Sequence, residues 1–276
     1  MPSWNIHIAH TEQLLDGGGS VARAVCDRNA FLFGNVVPDI FVGYMVPGVV
    51  DPIPYRITHF AKPEPIPKPR EDEFWETYVA PLSRAAALSG DAEPAAASPL
   101  SIVEERERLN RVHYPQRYAD APPLSSVPEE EFSTAPADVE RSTFDLVLGV
   151  WAHLLADNIW NTRVNEFLAA HGGKPSEQFR IKKQSDFDYF GKTLAIEMVP
   201  RASERLYRAA AAFPQYPIGQ EHVLKTIGVM HEIVRSNYEM GVHASYQLLT
   251  EDFFNQVFTE VTQTTDALFA QRVSLV

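Results

Sequence analysis

One stretch near the middle of the chain reads Gly149-Val-Trp-Ala-His153-Leu-Leu-Ala-Asp157-Asn-Ile-Trp160-Asn161. At 3.6 residues per turn, His153 and Asp157 lie one turn apart, so an imidazole and a carboxylate project from the same face of one helix. The apolar residues around them indicate that most of this helix is buried. A buried carboxylate needs a partner, and a metal ion bound by both side chains is one such partner.

Taken alone, this pair also has simpler explanations. His153 could be a core histidine with a hydrogen-bond partner, Asp157 could pair with a distant arginine, and i,i+4 contacts of this kind are common on helices. A metal site therefore requires further ligands elsewhere in the chain. The candidate ligands are His7 or His10, Asp39 and His59. Each of them alone also fits a surface, turn or hydrogen-bonded role. Together with His153 and Asp157, they form the set of histidines and carboxylates that suits zinc.

The composition narrows the classes of protein to consider. The 276 residues are 45% hydrophobic, which is enough to bury the core of one large domain, and we interpret residues 1–276 as a single helical domain. There are 24 Lys and Arg against 36 Asp and Glu, a formal charge of −12, so stable nucleic-acid binding is not expected. The single cysteine, Cys26, leaves any metal to histidine and carboxylate ligands.

The sequence carries no signal for secretion or membrane insertion. The N-terminal residues lack a basic region followed by an apolar one, and no run of 18 apolar residues marks a membrane span. We therefore expect a cytoplasmic protein without a transmembrane segment. Nothing in the sequence indicates its oligomeric state.

Apolar positions at helical spacing predict an all-α, multi-helix fold, and no segment has the period-two alternation of a strand.

Several local features are also predicted. Ser20 is the expected N-cap of the second helix, and Pro38 is expected to force Val37 out of helical geometry. Thr58-His59-Phe60 is expected on a loop. Gly17-Gly18-Gly19 ends the first helix. The last segment is expected to form two or three helices, and the predicted helical ranges are 4–15, 20–30, 71–88, 139–171, 185–213 and 219–275.

Residues 90–138 differ in composition from the rest of the chain. Ala, Pro, Ser and Glu dominate this segment, and only residues 102–112 predict a short helix. Long segments of this kind inside a compact domain are usually functional loops or spacers. We interpret residues 90–138 as a partly mobile insertion or lid.

Four motifs, taken in order along the chain, resemble the zinc-dependent phospholipase C family, and the fungal single-strand-specific nucleases are similar in the same motifs. They are an early histidine at His7, Gly34-Asn35-Val-Val-Pro38-Asp39, Thr58-His59-Phe60 and Ala152-His153-Leu-Leu-Ala-Asp157. The resemblance covers about the first two-thirds of the chain. It implies a helical bundle that holds up to three zinc ions and hydrolyses phosphate esters.

The same resemblance implies roles for individual residues. One complete metal site would consist of Asp39, His59, His153 and Asp157, with Asp157 bridging to a second ion and Asp39 also orienting the attacking water. His7 would be a ligand of the second ion.

The chain departs from the family pattern in three ways. The family expects a further histidine followed by an acidic residue one turn later, and His222, His231 and His243 all lack an Asp or Glu four residues on. Trp4 is internal, whereas secreted members begin with a tryptophan whose amino group is itself a ligand, and Asn161 lies near the position of an expected histidine. We therefore expect one or two ions rather than three. Side chains that could substitute as ligands of a further ion are Asn161, Asp186, Asp188 and His10.

Two functions from different classes follow. The first is a zinc-dependent phosphoesterase, in which a zinc-activated water attacks a small phosphate ester or a phospholipid head group. The second is a non-catalytic helical binding protein that retains a structural or vestigial metal site. A catalytic zinc keeps one open coordination position, whereas a structural zinc is closed by protein ligands.

Overall fold

A computed structural model describes residues 2–62, 67–83, 97–113, 115–118, 133–171, 176–239 and 245–273. These residues are mostly helical, which confirms the predicted all-α class. The helices span Trp4–Asp16, Ser20–Ala24, Arg28–Gly34, Val37–Ile40, Tyr55–Thr58, Glu71–Phe74, Ile102–His113, Pro136–Ala170, Glu177–Thr193, Glu204–Ala211, Gln220–Glu239 and Glu251–Arg272. A π-helical turn covers Trp75–Val79, and a 3-10 turn covers Pro115–Tyr118.

The helix Pro136–Ala170, hereafter the central helix, lies at the centre of the core. Every residue from Ser142 to Asp157 is buried, so this part of the helix has neighbours on all sides. A helix whose surface is mostly apolar and fully covered lies in a protein interior. Both hydrophobic clusters of the core include its side chains: Trp151 lies in one and Trp160 in the other.

The helix Arg28–Gly34 packs closely against the central helix. A Cβ atom built on Gly149 would lie 2.2 Å from the carbonyl oxygen of Phe31, and one on Gly34 would lie 2.0 Å from the carbonyl oxygen of Leu146. The two backbones are therefore in direct contact, which only glycine permits at these positions. This contact fixes the position of Asn35 and the residues that follow it, including Asp39.

The segment predicted as one helix from Ser20 to Ala30 is two helices, so this prediction was wrong. Ser20 is the first helical residue rather than the N-cap, which is Gly19. The second helix begins after Asp27, whose side chain accepts a hydrogen bond from the Ala30 amide. The break persists because the Asp27 amide also donates to the buried carboxylate of Asp145, 2.7 Å away on the central helix.

Of two local predictions around the site residues, the one for Val37 was wrong and the one for Thr58-His59-Phe60 was wrong only at its first residue. Val37 is the first residue of the helix Val37–Ile40, with Pro38 in its first turn. Proline is tolerated there because the first amides of a helix have no carbonyl partner within it. The loop predicted at Thr58-His59-Phe60 begins one residue later, because Thr58 ends the helix Tyr55–Thr58, His59 is its C-cap, and His59 and Phe60 lie in a turn.

Elsewhere the predicted elements differ mainly in their boundaries. The run 185–213 is divided between two helices by the strand Met198–Val199, which pairs antiparallel with Leu100–Ser101. This two-stranded sheet was not predicted. The short helix near residue 102 and two helices after Gly219 are confirmed as Ile102–His113, Gln220–Glu239 and Glu251–Arg272.

Some predictions rest on residues outside the described ranges. Residues 84–88 of the helix predicted at 71–88 lie there, as does much of the predicted insertion at 90–138. The lid role and the single-domain organisation therefore stay predictions. Among the described helices, none is long and apolar enough to cross a membrane.

Candidate metal centre

Four separate parts of the fold bring five side chains into one buried cluster. His7 comes from the first helix, Asp39 from the helix Val37–Ile40, His59 from the C-cap of Tyr55–Thr58, and His153 and Asp157 from the central helix. Asp39 is 4% exposed, His7 is 1% exposed and the other three are fully buried. All five residues predicted as metal ligands therefore lie together, and the cluster formed by them is hereafter the five-residue cluster.

The distances within the cluster are those expected between ligands of one ion. His59 Nε2 lies 3.2 Å from His153 Nε2, 3.3 Å from Asp39 Oδ1 and 3.7 Å from Asp157 Oδ2. His153 Nε2 lies 3.8 Å from Asp157 Oδ2. Tetrahedral zinc with ligands at about 2.0–2.1 Å separates neighbouring ligand atoms by about 3.3–3.4 Å. The observed spacings are close to this value.

Hydrogen bonds on the far sides of the rings fix the tautomers of two histidines. His153 Nδ1 lies 2.8 Å from the carbonyl oxygen of Asn35, which can only accept, so Nδ1 carries the hydrogen. The Thr58 hydroxyl donates to the carbonyl of Tyr55 and therefore accepts from His59 Nδ1, 2.9 Å away. Both Nε2 atoms are then left with lone pairs that face each other. A cation between them would remove the repulsion.

A second group of ligand atoms lies beside the first. His7 Nε2 is 3.5 Å from Asp157 Oδ1, and the His7 ring stacks on His153 with centroids 4.0 Å apart. The ligand atoms of His7, His153 and Asp157 lie within 4.8 Å of one another, as do those of Asp39, His59 and His153. His153 belongs to both groups. Only its Nε2 can be a ligand, because Nδ1 is bonded to the Asn35 carbonyl, so His153 can bind one ion but not two.

Several buried polar atoms of the cluster have no hydrogen-bond partner among the described residues. They are both ring nitrogens of His7, Asp39 Oδ1 and Asp157 Oδ1. Buried polar atoms in proteins are almost always satisfied, so a cluster of unpartnered ones is an arrangement that a bound cation would satisfy. All four are atoms that can coordinate a metal ion.

The other carboxylate oxygens are held by aromatic donors that the sequence analysis did not identify. Trp4 Nε1 donates to Asp39 Oδ2 at 2.9 Å, and the Tyr55 hydroxyl donates to Asp157 Oδ2 at 3.0 Å. The Tyr55 ring also stacks on His59, with centroids 3.7 Å apart. Such supporting contacts orient metal ligands in many sites. Only the position of Tyr55 and Thr58 beside His59 could have suggested them from the sequence.

Two members of the cluster, Asp157 and His153, have pKa values shifted in the direction that metal ligands require. Burial alone would raise the pKa of Asp157, but its contact with His7, followed by the proximity of His153 and His59, holds that pKa well below its usual range. Burial, followed by the proximity of His7, lowers the pKa of His153 to about 3. Ionised carboxylates and neutral imidazoles are the forms that bind metal.

The side chains considered as ligands of a further ion have other partners. His10 lies between the Thr262 hydroxyl and the Trp160 indole, and neither three-residue group of ligand atoms contains it. The remaining three take part in hydrogen bonds within the fold: Asn161 with the carbonyl of Pro67, Asp186 with the amides of Gln247, Leu248 and Leu249, and Asp188 with Gln184.

Comparisons with known proteins do not add a relative. A scan against protein-family models, a search of curated proteins and a search of solved structures found no match. The resemblance to the zinc-dependent phospholipase C family therefore rests on the motifs around the five residues and stays a prediction.

Proposed function

We propose that the protein is a metal-dependent phosphoester hydrolase, similar to the zinc-dependent phospholipases C, with its metal held by the five-residue cluster. The observation that supports this proposal is that the Nε2 atoms of His59 and His153 lie 3.2 Å apart, with their lone pairs facing each other. The buried carboxylates of Asp39 and Asp157 lie beside them. Nitrogen and oxygen donors in this combination suit zinc. Asp39, His59, His153 and Asp157 would hold one ion, and His7 with Asp157 would hold a second.

Bound zinc supplies a Lewis acid for a phosphoryl oxygen and lowers the pKa of water at the site toward about 7. The surrounding residues would prepare the site for that chemistry. The Trp4 indole fixes one oxygen of Asp39, so the other oxygen has a defined direction in which to orient an attacking water. The Tyr55 hydroxyl likewise fixes one oxygen of Asp157, which keeps this carboxylate oriented toward the metal. Thr58 and the Asn35 carbonyl keep His59 and His153 in the ligating tautomer.

The proposed substrate is a small phosphate ester or a phospholipid head group. A net charge of −12 gives the chain no general attraction for the phosphate backbone of nucleic acids. Phosphate would instead be recognised at the metal centre itself, where one or two divalent ions offset the charge of the carboxylates.

One observation favours the second candidate function, a non-catalytic protein with a structural metal. The ligands are almost fully buried, and the Tyr55 hydroxyl already occupies one side of Asp157. A closed ligand sphere of this kind is typical of structural zinc. The two candidates differ in whether the loaded protein turns over a phosphate ester.

The test combines metal analysis with enzyme assays on the same samples. The wild-type protein, His153→Ala, Asp157→Asn and the control His171→Ala, which changes an exposed histidine outside the cluster, are purified and analysed for zinc. Each is then assayed with a phosphomonoester, a phosphodiester and phosphatidylcholine. We expect bound zinc and hydrolysis in the wild type and control, and loss of both in the two cluster variants.

Two results would contradict the proposal in different ways. Hydrolysis that persists in His153→Ala, despite loss of zinc, would mean that the activity comes from another source. Zinc bound by the wild type without hydrolysis of any of the three substrates would favour the structural role. The His171→Ala control separates a specific effect from a general effect of histidine removal.

A further inference from the structure

The residue that follows His59 has an unusual backbone conformation. Phe60 has a φ of 51°, in the left-handed region, which is unfavourable for a residue with a Cβ atom. The Phe60 amide donates to the Ile57 carbonyl and the Ala61 amide to the Arg56 carbonyl, at 3.1 and 3.0 Å. These two bonds form a Schellman motif, in which this position is usually glycine. The motif sets the direction in which His59 leaves the helix Tyr55–Thr58.

Arg70 holds Phe60 in this conformation. Its backbone amide and its Nε both donate to the carbonyl oxygen of Phe60, at 3.0 and 3.2 Å. Its guanidinium also lies over the Phe60 ring, 4.7 Å from the centroid. The Phe60 ring also makes edge-to-face contacts with Phe74 and Tyr78, each with centroids 6.0 Å away. Contacts to both its carbonyl and its ring therefore offset the unfavourable backbone conformation.

The segment that contains Arg70 is itself fastened to the central helix beside Asp157. The side chain of Asn158 donates to the carbonyl of Pro69 at 3.0 Å and to the carboxylate of Glu71 at 2.5 Å. Residues Pro69–Glu71 are hereafter the strap. The strap thus contacts Asn158, which follows Asp157, and Phe60, which follows His59. The strap therefore links the backbone beside one proposed ligand to the residue that follows the other.

We propose that Arg70 is a positioning residue for the metal centre, and that it fixes His59 relative to Asp157 by holding Phe60 in the left-handed conformation. This inference rests on the proposed function, since it assumes that the five-residue cluster binds a metal. Arg70 is not one of the proposed ligands. Its removal should therefore change metal affinity and ligand geometry without removing a ligand atom.

The first experiment compares Phe60→Gly with Phe60→Ala. Both variants lack the aromatic ring, so both lose its packing, but only glycine adopts the left-handed conformation without a penalty. In Phe60→Ala the peptide can relax and turn His59 away from the cluster. We expect Phe60→Ala to bind zinc about five- to tenfold more weakly than Phe60→Gly in chelator-competition titrations. Thermal unfolding of each metal-free variant checks that both fold.

The second experiment compares Arg70→Ala with Glu73→Gln. Arg70 also forms an exposed i,i+3 ion pair with Glu73, so Glu73→Gln removes that pair and leaves the contacts to Phe60 in place. We expect Arg70→Ala to bind zinc about fivefold more weakly and to change the visible absorption spectrum of the cobalt(II)-loaded protein. Glu73→Gln should have the same zinc affinity and the same cobalt(II) absorption spectrum as the wild type, within experimental error. A purely structural role for Arg70 would lower stability but leave the cobalt spectrum unchanged.

The outcomes distinguish this inference from the proposed function. Failure of the wild type to bind zinc or cobalt would overturn the proposed function and this inference with it. Metal binding by the wild type, with equal affinities for the two Phe60 variants and an unchanged cobalt spectrum in Arg70→Ala, would overturn only the positioning role. The expected differences in both experiments would support it.

Discussion

Replacing Gly149 by alanine would test how the contact between the central helix and the helix Arg28–Gly34 positions the metal centre. The new Cβ atom would lie 2.2 Å from the Phe31 carbonyl oxygen and 3.0 Å from the amide nitrogen of Asn35. Ordinary contacts of a Cβ atom begin at 3.4 Å, and backbone atoms cannot rotate away as a side chain can. The two helices would have to separate by about 1 Å to remove the overlap.

The expected loss of stability follows from two contributions. Forcing a methyl group into a closely packed contact costs about 1–3 kcal/mol. Separation also lengthens the hydrogen bond between the Asn35 carbonyl and His153 Nδ1, now 2.8 Å, which contributes about 1 kcal/mol. Alanine's higher helix propensity offsets about 0.5–1 kcal/mol of this, so we expect Gly149→Ala to lower the free energy of unfolding by about 1–3.5 kcal/mol. Zinc affinity should fall as well, because the Asn35 carbonyl no longer fixes the His153 ring.

Gly228 provides the matched control. It also lies within a long helix, but a Cβ atom there would meet nothing within 4 Å. Gly228→Ala should therefore raise the free energy of unfolding by about 0.5–1 kcal/mol, because alanine has the higher helix propensity. Urea unfolding of the metal-free proteins and zinc titration measure both effects. A Gly149→Ala variant as stable as the wild type, with unchanged zinc affinity, would refute the close contact and its role.

Three further predictions concern pH, tautomer and metal. Burial, opposed by Arg141, raises the pKa of Asp145 from 3.8 to about 7. The folded protein therefore binds this proton more tightly than the unfolded chain does, and the resulting stability is fully present below about pH 4 and is lost as the pH rises to about 7. Asp145→Asn should flatten this part of the pH profile of urea unfolding, by at most about 4 kcal/mol; an unchanged profile would contradict it. Thr58→Val, which keeps the shape but removes the acceptor for His59 Nδ1, should weaken zinc binding at least about tenfold in titrations, whereas equal affinity would exclude a tautomer role. Zinc at about 100 times its Kd should stabilise the metal-free protein by about 2.7 kcal/mol in thermal unfolding, and Asp157→Asn should abolish this gain; stabilisation that persists would place the zinc elsewhere.

The central helix was predictable from local sequence alone. Apolar residues cover most of its circumference, and the spacing of His153 and Asp157 places both on one face. Periodicity of this kind needs no knowledge of the rest of the fold. The remaining members of the five-residue cluster were suggested by motifs separated by tens of residues, and their meeting in space depends on how four parts of the chain pack.

The unpredicted break in the segment 20–30 and the orientation of Asp39 both depend on contacts between distant parts of the chain. The break between Ala24 and Arg28 is stabilised by the carboxylate of Asp145, more than a hundred residues away. The orientation of Asp39 depends in the same way on the indole of Trp4. Local propensity describes neither contact, because each requires a partner that only the tertiary structure brings close. The supporting residues of the site were therefore less predictable than the ligands.

The five-residue cluster is an unfavourable arrangement for a core that serves stability alone. Each unsatisfied buried polar atom typically costs about 1–3 kcal/mol, and the unpartnered atoms of His7, Asp39 and Asp157 lie in one small volume. Apolar side chains of similar size would pack there without that cost. Instead, Trp4, Thr58, Tyr55 and a backbone carbonyl hold the polar atoms in fixed directions. An arrangement that is both costly and carefully oriented is explained if a bound cation recovers the energy, and this is the physical basis of the proposed metal centre.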